Sequence, residues 1–138
     1  MKYLAVSLSL FFSSCTLISW QDEVINLGGN ANFALIWVSY NVRYIDDGPF
    51  DRWQRPSETY RIKQGDCEDF AMLAASGLIA AGETDIQIVC YIPESWEPHA
   101  IIRWRGKYIE PQTGSEISLP HCMIIYDANF ETALQRCS

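Results

Sequence analysis

The chain has 138 residues, 49% hydrophobic and 13% aromatic, which is enough apolar surface for one domain with a sizeable core and too much for a disordered segment. A formal charge of -7 and a pI near 4.7, with Lys and Arg scattered along the chain, exclude a nucleic-acid-binding surface. The cysteines, Cys15, Cys67, Cys90, Cys122 and Cys137, form no CxxC pair, so zinc-ribbon and thioredoxin-type motifs are excluded too.

Lys2, the apolar residues 3–12 and the small residues Ser13-Ser14-Cys15 follow the order of an export signal. Ser14-Cys15 is also similar to the end of a bacterial lipoprotein signal, whose cysteine is lipidated, although Phe12 departs from the aliphatic residue usual there. The uncharged run continues towards Gln21, so an uncleaved anchor is a further reading. Residues 1–20 are read as a leader outside the fold and 21–138 as one exported domain, periplasmic or membrane-anchored. The membrane is reached only through that N-terminal lipid or signal anchor.

Asn30 or Asn32 can cap a helix whose apolar residues Phe33, Ile36, Trp37, Tyr40 and Tyr44 recur at helical spacing. Asp46-Asp47-Gly48-Pro49 ends it as a turn. Residues 50–64 show neither period, and Pro56 interrupts any run, so they read as a long ordered loop of the functional kind. A second helix starts at Asp66 or Cys67 and runs to about Ala81, with Gly82 as its stop. Ala71, Ala74, Ala75 and Gly77 make it slender, as a buried central helix must be. Strand patterns follow at 85–92, 99–104, 108–110 and 122–126, and a short helix at 129–136. Helices followed by antiparallel strands predict an α+β fold, the Cys67 helix packed on a small antiparallel sheet.

In Gly65-Asp66-Cys67-Glu68-Asp69-Phe70-Ala71 a thiol stands at a helix N-terminus, where the macrodipole and unpaired N–H groups favour thiolate and can hold an oxyanion. Asp66, Glu68 and Asp69 cap and charge-stabilise the helix yet oppose ionisation of Cys67, so a cation is needed. Of the two histidines, His99 opens a strand and can serve as base and then acid, while His121, next to Cys122, reads as structural.

A two-residue Arg105-Gly106 turn sets a register in which Ile101 faces Glu110 and His99 faces Gln112. Glu110 then shares a sheet face with His99, one diagonal step away, and a three-residue loop would turn it to the other face. Gln112 is the rival orienter of the imidazole. Trp53, Trp96 and Trp104 read as core or cleft wall, with Trp53 and Gln112 the candidates for cleft or oxyanion contacts. Cys90, Cys122 and Cys137 are either buried free thiols or hold one disulfide.

The run Asp46-Asp47, Asp51-Arg52-Trp53, Arg55-Pro56-Ser57-Glu58-Thr59 and Gly65–Ala71, followed by His99-Ala100 and Tyr108-Ile109-Glu110-Pro111, resembles the bacterial transglutaminase-like cysteine proteinases. These belong to the transglutaminase-like superfamily with its papain-like core. The resemblance implies Cys67 as nucleophile, His99 as base and acid, and Glu110, where the family has Asp or Asn, as the residue that orients His99. Some relatives bind calcium through acids flanking the nucleophile, which here are Asp66 and Glu68; capping accounts for the same acids. The expected function is thiol acyl transfer on a peptide or glutamine carboxamide, resolved by water in a peptidase or by an amine in a transglutaminase. No cofactor is required beyond that candidate calcium, and the partner is a protein or peptide substrate. An inactive binding module on the same fold is the alternative.

Overall fold

The computed structural model describes residues 18–49, 51–119 and 121–138. The export-signal residues and Cys15 lie outside the described residues. Among those described, no helix is long and apolar enough to cross a membrane.

Helix α1 (Trp20–Asn26) begins where Ser19 accepts the Asp22 N–H at 3.2 Å. Trp20 is 1% exposed and donates its indole N–H to the Leu73 carbonyl at 3.1 Å. The leader boundary at residue 20 therefore falls inside the fold: an indole reads as part of an apolar leader, but here it is a core side chain.

In α2 (Ala31–Asn41) Asn30 caps the N–H groups of Asn32 and Phe33. The stripe expected inside is not the buried one. Ile36 and Tyr40 are 53% and 85% exposed, whereas Ala34, Leu35 and Val38 are buried, and Tyr44 lies beyond the helix in β1 (Arg43–Tyr44). Both faces of α2 are apolar, so bulk misleads; the smaller face goes in because it allows close approach. A Cβ on Gly77 would stand 2.6 Å from Trp20 Cζ2 and 2.9 Å from Ala34 Cβ, so only glycine lets α1 and α2 meet the central helix there.

The expected loop at 50–64 contains α3 (Pro56–Ile62). Pro56 starts this helix rather than breaking a run, since proline at the first helical position lacks only an N–H that would have no partner. The strand β2 (Gln64–Gly65) then pairs in parallel with β1. Helix α4 (Cys67–Ala80) follows, closed by Gly82 at φ +86. Eleven of its fourteen residues are buried, so packing rather than propensity holds it. Met72, Leu73 and Leu78 are fully buried, each worth roughly 1.5–3 kcal/mol.

Five antiparallel strands, β3 (Gln87–Ile92), β4 (His99–Trp104), β5 (Lys107–Glu110), β6 (Ser115–Ile117) and β7 (Met123–Asn129), form a sheet in the order β6-β5-β4-β3-β7. One face carries Ile88, Ala100, Ile102 and Ile109 into the core around α4, and the other carries Val89, Tyr91 and Ile101. Arg105 and Gly106 both have positive φ, 52° and 73°, and close the two-residue turn in the expected register, with Arg103 opposite Tyr108. Strand β6 had no sequence signal, since Ser115-Glu116-Ile117 is short and polar. Cys90 faces Tyr126 while Tyr91 faces Ile124, so Ile125 is the extra residue of a β-bulge. The chain ends in α5 (Phe130–Leu134), capped by Asn129. Cys67, Cys90, Cys122 and Cys137 are all free thiols.

Candidate active site

Cys67 is the first residue of α4, and the residues before it fix where that helix starts. Asp69 accepts the Asp66 N–H on Oδ2 at 3.2 Å and the Gln54 N–H on Oδ1 at 2.7 Å. One carboxylate thus satisfies the helix start and ties it to the chain entering α3. A Cβ on Gly65 would lie 2.5 Å from Asp69 Cβ, so the glycine of the Gly-Asp-Cys run makes room for this acid.

The other two acids sit differently. Glu68 Oε2 accepts the Cys67 thiol at 3.2 Å, and the buried Oδ1 of Asp66 has no partner among the described residues. Burial, then the hydrogen bond and charge of Glu68, push Asp66 up to about 9. Glu68 is pushed up to about 7 by burial and then by Asp51. Burial also raises the Cys67 thiol, helped by the charge of Glu68 and opposed by the Ala100 N–H on the sulfur. Burial first, and then Glu68, thus hold the thiol above its ordinary range in this geometry, against the direction expected for a thiolate.

His99 opens β4, with Nε2 2.5 Å from Glu110 Oε2, while Glu110 Oε1 accepts the Gln112 N–H at 3.0 Å. Of the two candidates to orient His99, it is the Glu110 side chain that contacts the ring, while Gln112 contributes its main chain. Tyr91 stands edge-on to the imidazole at 5.8 Å. Cys67, Glu68, His99 and Ala100 line a cavity of about 390 Å³. Trp53, Ile125, Tyr126 and Arg136 line it as well. Of the two cleft candidates read from the sequence, Trp53 lines this cavity and Gln112 does not. His121 and Cys122 border a separate one of about 470 Å³, together with Trp96.

Ile125, Tyr126 and Arg136 carry no sequence signal for this cavity. Arg136 lies 4.4 Å over the Trp53 ring and 5.0 Å over that of Tyr126, and nothing in the spacing of residues 125, 126 and 136 from Cys67 announces that they line the same cavity. Asp47 also escaped notice because it reads as a turn residue. Its carboxylate, with those of Asp66 and Glu68, forms a cluster whose ligand atoms all lie within 4.8 Å of one another. This group suits a hard cation: three carboxylates converge, and one buried oxygen lacks any other partner.

No protein-family model matches the chain, and no curated protein sequence does. Among solved structures the chain is similar to LapG from Legionella pneumophila, at 18% identity over 79% of this chain and 72% of that one, with a TM-score of 0.64. A calcium-bound form of that protein gives the same TM-score of 0.64. A candidate cysteine protease from Cytophaga hutchinsonii, also 18% identical, gives 0.55 over 78% of this chain and 42% of its own. The chain shares the fold of these proteins, a mixed helix-and-sheet core of the α+β kind expected from the sequence. In that fold Cys67, at the start of the central helix, and His99, at the start of β4, line one cavity.

Proposed function

We propose that this protein is a thiol acyl-transfer enzyme, a cysteine peptidase working through Cys67, His99 and Glu110. The observation that carries this reading is the His99–Glu110 pair, 2.5 Å apart, with His99 lining the same cavity as a cysteine at a helix N-terminus. With Nε2 held by Glu110, the other ring nitrogen is free to take the thiol proton. Cys67 sulfur attacks the substrate carbonyl carbon, and the oxyanion is stabilised by N–H groups at the start of α4. His99 protonates the departing amine as the C–N bond breaks, which leaves a thioester. Water then adds, returns the acid product and restores the thiol. Hydrolysis is favoured over transfer to an amine because Asp51, at the cavity, is 68% exposed and solvent reaches the site.

Asp47, Asp66 and Glu68 would hold calcium, whose positive charge would oppose the acids that keep the thiol protonated. An exported location, periplasmic or lipid-anchored, accompanies this reading and rests on the order of residues 2–15. The test is to treat the protein with a thiol-directed electrophile at graded pH, with and without calcium, and locate the label by mass spectrometry. Fast labelling at Cys67 that disappears in His99→Ala supports the enzyme. A rate no greater than that of free cysteine under every condition supports the binding module instead.

A further inference from the structure

The cavity that Cys67 lines also presents two hydrogen-bond donors that meet no acceptor within hydrogen-bond range among the described residues. The first is Arg136. Its guanidinium lies against both Trp53 and Tyr126, and its ion-pair partner Asp51 is 3.6 Å away, outside hydrogen-bond range. The second is Tyr126. Its hydroxyl is buried and meets no acceptor among the described residues; the Arg136 guanidinium beside it can only donate, so the hydroxyl proton is left without a partner, which costs stability unless something binds there. Both residues line the cavity that contains Cys67.

From these two donors we infer that the cleft takes a peptide bearing a carboxylate, which Arg136 binds as a charge-assisted partner while Tyr126 donates its hydroxyl to the same group. The inference rests on the acyl-transfer reading for what happens next to that peptide, but not for its binding. Stacking supplies preorganisation, since a guanidinium fixed over two rings loses little freedom when it meets a planar anion. Asp51 is no obstacle, because its side chain is 68% exposed and can turn to water. Glu68 is occupied by the Cys67 thiol. The carboxylate comes from an acidic side chain or from a peptide C-terminus, and the two sources share this chemistry.

The experiment measures binding of paired peptides to the full-length Cys67→Ser protein, whose hydroxyl can still donate to Glu68, by calorimetric titration, and turnover of the same peptides by the unmodified protein. Pairs differ only in Glu against Gln at one position, or in a free against an amidated C-terminus. The expected result is binding at least about tenfold tighter for the carboxylate member of one pair type, a difference of about 1.4 kcal/mol; the pair type that shows it names the source. In Arg136→Gln the ratio falls to near one, and in Tyr126→Phe it falls part of the way. Equal binding of both members of every pair, or a ratio unchanged in Arg136→Gln, overturns the inference and leaves Arg136 as a clamp on Trp53. Selective binding without turnover keeps the inference and removes the enzyme.

Discussion

Glu110 uses both carboxylate oxygens to hold His99 in place: Oε2 lies 2.5 Å from the ring Nε2, and Oε1 accepts the Gln112 N–H at 3.0 Å. An ionised Glu110 at that distance selects the tautomer with its proton on Nε2, the one the proposed general base requires. Glu110→Ala is expected to lower kcat/KM at least about 100-fold with the fold intact. Gln112→Ala, which leaves the main-chain donor in place, costs far less. Steady-state kinetics beside a circular dichroism spectrum of each variant checks both.

Gly65→Ala drives a methyl group against Asp69 Cβ, an atom that cannot move without the helix. The expected cost is about 1–3 kcal/mol of stability, read as a lower urea midpoint. Labelling of Cys67 should fall as well, because Asp69 also anchors Gln54 and so positions the cavity wall that begins at Trp53.

The acid cluster predicts a pH dependence of unusual sign. Asp66 at about 9 and Glu68 at about 7 lie above the ordinary carboxylate range near 4, so the folded state holds protons that the unfolded chain has released. Stability from these groups is complete below about pH 4 and is lost progressively from there, up to about pH 7 for Glu68 and about pH 9 for Asp66. Without divalent cations the melting temperature should therefore fall between about pH 4 and 9. Calcium should raise it most at the alkaline end, and Asp47→Asn should weaken the calcium effect. Scanning calorimetry in chelator and in calcium decides this; a melting temperature indifferent to calcium at every pH removes the site.

The parts of this protein that a reader of residues can find are those where local chemistry has one solution. Gly82 ends α4 and Asn30 starts α2 because few residues do either job, and a two-residue turn at Arg105-Gly106 forces Glu110 and His99 onto one face by parity alone. Where two solutions compete, the sequence is silent. Pro56 both breaks helices and begins them, and α2 is apolar on both sides, so only the missing Cβ of Gly77 decides which side is covered. Tyr126 joins the cavity of Cys67 through the sheet order, which places β7 beside β3, and no spacing along the chain encodes that. Asp47 joins Asp66 and Glu68 only because β1 and β2 pair in parallel.

The tight turn between β4 and β5 makes strand register itself a functional quantity. Side chains alternate along each strand, so a change at Arg105-Gly106 that slips the pairing by one residue would rotate Glu110 away from His99 while leaving every residue of the site present. A slip of two would keep both side chains on one face. A change at a solvent-exposed turn, innocuous in most proteins, would here part His99 from Glu110 whenever it moves the register by an odd step.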